Sequence, residues 1–554
     1  MHLTNILKLS TLLLFVSYAL MGRSQSSQCE ELSKIINSNA SAVSINVTNC
    51  DLETIPAELA VLLNTTQVNL DENIIRYVTF ENIKHLKSLS LKKNGIVSLH
   101  KSIDSMAVLN YLYLDNNRIT KIPGSIKGAS ELKTLTVGSN LLKNLPSSIG
   151  NLENLDSLDL HSNQLTQVKS WIGTLNELDY LNLSANEITT IASELWSIKQ
   201  LNYLNLSENQ LSNDGLNLTQ GSAPIETLHL EVNDLVAFPM GVNNFNNLKY
   251  LNISSNQVRT IPSSLSGLTD LETLILNWNL LEDLPLPIGD LSALKYLEIN
   301  HNVIKTLGDA LGKLNNLAVL KANDNVITEI SESVLQLKSL KQLEIAGNRL
   351  IKLPENWASL ANLQILDASR NNLNAIPTDL LNLKQLKSLN LRGNIIEILP
   401  AQISNMEGLV ELDLGENSLE EIPVELAALK TLTSLKLDGN LIQKIDPSIM
   451  GLSGLSSLEL DGNLIKKLPK NLGDLSNLKY LSINGNQLKK LPESIGMLSN
   501  LTYLSLEANL LKKLPESIEN LKNLKYLSIS KNLMDFEEQK KIKALLPDDC
   551  VIIM

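Results

Sequence analysis

An asparagine recurs every 23 residues through most of this 554-residue chain, and that period constrains the fold more than any other feature. From Asn486 it steps back through Asn463 and Asn440 to Asn233, and forward to Asn509 and Asn532. A single 24-residue step separates Asn209 from Asn233, a 21-residue step separates Asn73 from Asn94, and Cys50 holds the same slot 23 residues before Asn73. The series counts 22 units. A unit this short cannot bury an apolar face alone, so a fixed period of this length means stacked turns, each touching only its neighbours.

Within one turn the spacing assigns the parts. In Leu478-x-x-Leu481-x-Ile483 the last two apolar residues alternate with polar ones, as on one face of a short strand. Asn486 is polar yet recurs at an inward position, which is tolerable only if its amide bonds the backbone of adjacent turns. Leu491, Ile495 and Leu498 then follow at helix-like spacing, with Pro492 near the start, where a missing N–H matters little. One turn is therefore strand, loop, short helical segment and return.

Units of the form L-P-x-x-I-G-x-L-x-N-L-x-x-L-x-L-x-x-N-x-L resemble the 23-residue class of leucine-rich repeats, found in Ras-group scaffolds, plant intracellular relatives and many bacterial proteins. The ending Lys543 to Met554, KALLPDDCVIIM, looks like the closing segment of exported bacterial leucine-rich proteins. The resemblance runs over about residues 42–554. It implies an α/β solenoid, a horseshoe or right-handed superhelix, with a parallel sheet on the concave face and short helical segments on the convex face. It also implies a binding scaffold, because the shared letters are core letters and leave the ligand to the rest.

The N-terminus reads as an address. Lys8 gives a weak positive start, Leu9 to Met21 is apolar, and small polar residues follow. That run is too short for a stable membrane span, and no second one follows. We read residues 1–24 as an export signal, 25–41 as an N-terminal cap, 42–534 as repeats and 535–554 as a C-terminal cap, in a secreted or periplasmic protein of a bacterial envelope. The net charge of −12 becomes −14 once Lys8 and Arg23 leave with the leader, a sign that disfavours nucleic acid. Cys29 and Cys50 suit a bridge that staples the first turn in an oxidising compartment; two separate buried thiols are the alternative.

The letters that vary carry the function. Outward strand positions pave the concave face, on the order of 100 Å long for this many turns at the usual strand spacing. Eight of the eleven tyrosines take the first outward slot: Tyr111, Tyr180, Tyr203, Tyr250, Tyr296, Tyr480, Tyr503 and Tyr526. Around the middle, Tyr203, Tyr250, Ile275, Trp278, Tyr296 and His301 are the expected ligand contacts, since an exposed aromatic patch marks a contact surface. Glu411, Asp413, Glu416, Asp438, Glu459 and Asp461 form an acidic run interrupted by Lys436, suited to a charge-balanced surface, a basic ligand or a divalent cation. His161, His229 and His301 lie three units apart each time, too far to share a metal. With no phosphate-cradling glycine loop either, we expect no cofactor and no enzyme. The expected partner is a protein or peptide; a glycan would also suit tyrosine beside Ser, Asn and Asp, and an uncleaved membrane anchor or an intracellular signalling scaffold is the reading if residues 1–24 are not a cleaved export signal. Two irregular stretches, Ile74 to Leu86 and Gln210 to Leu228, either change the curvature locally or carry a ligand-facing loop.

Overall fold

The computed structural model describes Cys29 and residues 42–554. The expected leader (1–24) and, apart from Cys29, the expected N-terminal cap (25–41) lie outside the described residues. The chain divides into two compact units, the first ending at Asn256 and the second running from Gln257 to Met554.

Each turn opens on a three-residue strand whose central residue is buried. Leu481 of Tyr480–Ser482 is fully inside, together with Leu478 and Ile483, as the alternation requires. Among the described residues the first unit carries ten such strands, from Ser44–Asn46 to Tyr250–Asn252, and the second twelve, from Thr273–Ile275 to Tyr526–Ser528. Within each unit neighbours pair in parallel with equivalent slots opposite one another, as in Tyr180↔Tyr203 and Tyr480↔Tyr503. The repeat period thereby becomes a set of columns: one slot in the sequence is one line of adjacent side chains on the sheet.

Two devices turn the chain after each strand. The residue before the repeated asparagine, from Asn49 to Lys531, has a left-handed backbone in every one of the 22 units, and in only five of them is it glycine. The asparagine itself then locks the turn. Asn486 Nδ2 donates to Leu460 O of the preceding turn (2.8 Å) and to Asn484 O (3.1 Å), while its Oδ1 accepts from Ile465 N (3.0 Å). The buried amide is satisfied on both sides, which is why it can recur inside.

The return segments are mostly single 3-10 turns of five residues, such as Glu493–Met497, rather than α-helices. Pro492 sits just before it in an extended conformation, and Leu498 N closes it on Ile495 O (3.1 Å). Five residues between a proline and the next buried leucine are too few to propagate an α-helix. At the C-terminal end, the helix Phe536–Leu545 buries Ile542, and Val551–Ile553 pairs with Tyr526–Ser528 along the last strand edge. At the other end Cys29 and Cys50 form a disulfide, their Cα atoms 5.5 Å apart, and Cys550 is a free thiol.

Candidate ligand-binding surface

In the first unit the first-slot column brings Tyr180 onto Tyr203, ring centroids 4.6 Å apart and 10° from parallel. The next strand has Thr227 in that slot, but His229, two residues along the same strand, continues the line. Its ring lies 5.6 Å from Tyr203 and 4.8 Å from Tyr250, and its Nδ1 is 3.2 Å from Glu231 Oε1. The result is a run of four rings along one sheet face. Burial pushes the Tyr180 phenol up to about 12 and raises Tyr203 as well, so both remain neutral donors at any physiological pH.

In the second unit Trp278 occupies a left-handed turn (φ 55°) with 59% of its surface exposed. Its indole stacks on His301, the equivalent residue of the next turn, at 3.7 Å and 16°. The same column continues: His301 Nε2 lies 3.5 Å from Asp324 Oδ2, and Asp324 Oδ1 lies 3.1 Å from Arg370. Tyr296 is exposed on its strand, and Ile275 is half-buried opposite Glu298. Tyr203 and Tyr250 thus belong to the first unit, and Ile275, Trp278, Tyr296 and His301 to the second.

Further along the second unit Tyr480, Tyr503 and Tyr526 stack at 4.3 and 4.6 Å. The acidic run precedes them and is held by a residue that sequence spacing did not single out. Arg392 reaches Asp438 (Nη2–Oδ2 2.6 Å), Glu416 (2.8 Å) and Asp413 (3.7 Å), while Lys436 lies 3.7 Å from Glu459. Arg392 and Asp438 are two turns apart, and the intervening residue of that column is Gly415.

One arrangement has the outline of a nucleophile site. His161 Nδ1 is 2.7 Å from Asp159 Oδ1, and its Nε2 faces Ser139 Oγ at 3.4 Å; a Cβ at Gly138 would lie 2.0 Å from the imidazole, so glycine makes the room. Acyl transfer also needs backbone donors for an oxyanion. Here Gly138 N donates to Asp115, Ser139 N to His161 O and Asn140 N to Ser162 O, so the nearest amides are engaged. The relay can orient the Ser139 hydroxyl. Among the described residues, no three His, Cys, Asp or Glu side chains are placed to hold a metal ion.

The family pattern described as "Leucine-rich repeat region" matches residues 66–229 and 465–545, and that described as "Leucine rich repeat" matches 223–281, 338–396 and 430–488. This chain is a leucine-rich repeat protein. Its solenoid is similar to a plant peptide hormone receptor, RGFR1, solved in complex with RGF2, at 25% identity over 92% of this chain and 89% of that one, with a TM-score of 0.66. It is also similar to the Arabidopsis receptor kinase HAESA, solved with the peptide hormone IDA and the co-receptor SERK1, at 25% identity over 95% and 98%, TM-score 0.57. A leucine-rich repeat protein of Leptospira interrogans matches at 27% identity over 95% and 99%, TM-score 0.44. No curated protein matches the sequence.

For a leucine-rich repeat chain the two irregular stretches are now interpretable. The long one forms a single helical turn, Asn213–Leu216, while the strands on either side keep their register, Leu204 opposite Leu228. Beside that turn Leu216, Leu218, Ala237, Phe238 and Met240 line a groove of about 330 Å³ on the return side of the repeats, away from the sheet. The short one forms a two-residue strand, Tyr77–Val78, paired with Ser98–Leu99. Of the other tryptophans, Trp196 and Trp357 are buried and Trp171 half-buried, each in a return segment. Among the described residues no helix is long and apolar enough to cross a membrane.

Proposed function

We propose that this protein is an exported, non-enzymatic recognition scaffold that binds protein or peptide on the sheet face of each unit, through Tyr203 and Tyr250 on that of the first and through Ile275, Trp278, Tyr296 and His301 on that of the second. The observation that carries the reading is Trp278. A bulky side chain in the left-handed region costs roughly 1–2 kcal/mol relative to glycine. The ring stacks on His301 but does not enter the core, and 59% of its surface is exposed. Seventeen of the 22 equivalent positions carry a side chain in this conformation, so what sets Trp278 apart is its large exposed aromatic surface, which is what a ligand anchor offers. The peptide-bound receptors of similar fold support the same class of ligand.

The leader-like run Leu9 to Met21 and the disulfide, which suits an oxidising compartment, support export. Residues 1–24 are then removed, 25–41 and 535–554 close the ends, and 42–534 form the repeat array. N-terminal sequencing of the mature protein should begin between Arg23 and Cys29; Met1 on a reduced cytosolic chain overturns export. For the surface, the exported chain is used as immobilised bait, and the partner it captures is titrated against variants. Trp278→Ala should weaken binding at least about tenfold, as hot-spot truncations do. Equal binding by wild type and Trp278→Ala, with Tyr526→Ala impaired, moves the site to the C-terminal turns. Competition by a purified polysaccharide replaces the peptide reading with a glycan one.

A further inference from the structure

The sheet face of the second unit between Glu411 and Ser528 carries two features that the Trp278 site does not use. Tyr480, Tyr503 and Tyr526 stand on successive strands with ring planes within 9° and 3° of parallel. The residue two along from each is a serine, and Ser482, Ser505 and Ser528 are 1–3% exposed although they occupy a sheet-face slot. In the Tyr180 and Tyr203 strands the same slot holds Asn182 and Asn205, and it stays half-exposed. The small serine leaves room beside each ring, and the three rings stack face to face across two strand spacings, about 10 Å, so that only the outer faces of Tyr480 and Tyr526 are not covered by another ring of the stack.

Charge lies directly alongside. Glu411, Asp413, Glu416, Asp438, Glu459 and Asp461 face two cations, Arg392 and Lys436, so this face holds an excess of four negative charges. Burial raises the carboxyls of Asp413, Glu459 and Asp461, and neighbouring carboxylates add a smaller push in the same direction. The excess of negative charge suits a cationic partner. A bare divalent ion is disfavoured, because no three of these groups are placed to ligate one.

We propose that this face binds an extended lysine- or arginine-bearing segment of a partner protein, its cations over Glu411, Glu459 and Asp461 and its neighbouring side chains along the edge of the Tyr480–Tyr503–Tyr526 stack. The distance from the strand of Glu459 to that of Tyr526 is three strand spacings, about 14 Å, which four or five extended residues cover. A tyrosine face also accepts a guanidinium, and the outer face of Tyr480 is not covered by another ring of the stack, so an arginine there can serve both halves of the surface. The inference rests on the reading of the sheet face as the binding surface, but not on Trp278.

The test is fluorescence anisotropy of the mature chain with two labelled hexapeptides, Lys-Ser-Lys-Ser-Lys-Ser and Glu-Ser-Glu-Ser-Glu-Ser. The lysine probe should bind, the glutamate probe should not, and binding should fade between about 50 mM and 0.5 M salt. The pair E411Q/E459Q should weaken the lysine probe at least about tenfold and Y480S/Y503S at least about fivefold. If the tyrosine pair unfolds, E411K on an exposed side chain decides the same question. Trp278→Ala should leave the lysine probe unaffected, so loss of the native partner in that variant and loss of the probe in the others are separate results. Equal binding of the two probes, or an unchanged constant in E411Q/E459Q, overturns the proposal.

Discussion

Replacing Asn440 with alanine tests the repeat's locking device at a single turn. The side chain is 3% exposed and makes four hydrogen bonds. Its Oδ1 accepts from Leu419 N (3.0 Å), and its Nδ2 donates to Leu414 O (2.9 Å), Leu437 O (3.1 Å) and Asp438 O (3.2 Å). The carbonyls are not equally hurt by the loss. Leu414 O keeps Asn417 (3.1 Å) and Leu437 O keeps Asn463 (2.9 Å), because each carbonyl is shared by two ladder residues. Leu419 N loses its acceptor in a buried turn. An orphaned buried amide costs about 1–3 kcal/mol, and each weakened carbonyl adds a fraction of the usual 0.5–1.5, so the variant should lose roughly 2–4 kcal/mol. Because turns touch only their neighbours, the damage should be local. Urea unfolding gives the loss in stability, and hydrogen exchange should show the Leu419 amide and the strand Ser434–Lys436 deprotected while Tyr526–Ser528 is unchanged. As a control, Asn477→Ala removes an exposed bond to Ser453 O and should cost about 0.5 kcal/mol or less. A cost for Asn440→Ala no larger than the control's, with Leu419 still protected, would refute the ladder argument.

Other perturbations reach different parts of the chain. Reduction of Cys29–Cys50, which closes a loop with a sequence separation of 21, should release about 3 kcal/mol of constraint from the first turns, read as lost exchange protection at Ser44–Asn46. Val232 is β-branched, exposed and left-handed (φ 56°), so Val232→Gly should raise stability by about 0.5–1 kcal/mol after the glycine's extra chain entropy is subtracted, measured by thermal unfolding. The raised carboxyls of Asp413, Glu459 and Asp461 bind protons more tightly folded than unfolded, so this face should gain stability as pH falls from neutral through their folded pKa values, down to the ordinary carboxylate range. That gain should shrink in E459Q; a wild-type melting profile that does not rise relative to E459Q as pH falls toward the ordinary carboxylate range contradicts it.

What the sequence made legible is what every turn repeats. Leu481, Ile483 and Asn486 could be placed because the same slot must satisfy the same core in all turns, so one period fixes them all. The helix-like spacing of Leu491, Ile495 and Leu498 was read correctly as a return segment but not as a 3-10 turn, since three apolar residues cannot distinguish one turn of either helix. Features that span turns were harder to see. His229 replaces a tyrosine in the ring line from a different slot, so a count of first-slot tyrosines skips it. The left-handed turn at Trp278 was hidden because most equivalent positions are not glycine, the residue that usually announces it. The column of Trp278, His301, Asp324 and Arg370 becomes visible only when residues 23 apart are written one above another.

Writing them that way exposes a period of two turns on the sheet side, and Gly415 tests it. Arg392 pairs with Asp438 across Gly415, and Arg370 pairs with Asp324 across Gly347, in both cases 46 residues apart. A Cβ at Gly415 would lie 2.4 Å from Arg392 Nη1 and 2.7 Å from Asp438 Oδ1. Both obstacles are ends of flexible side chains, so Gly415→Ala should leave the backbone in place and part the ion pair. The pair is bidentate but partly exposed, which limits the loss to about 1 kcal/mol. Freeing Asp438 adds an uncompensated carboxylate to the acidic face, so the lysine hexapeptide should bind more tightly while the melting temperature falls. Stability and affinity moving in opposite directions is a signature that simple damage to the fold does not give. The double variant with Arg392→Gln isolates the cause: once the guanidinium is gone, the alanine has nothing to displace and should cost close to zero. Additive losses in that cycle would mean the glycine serves the turn rather than the ion pair that crosses it.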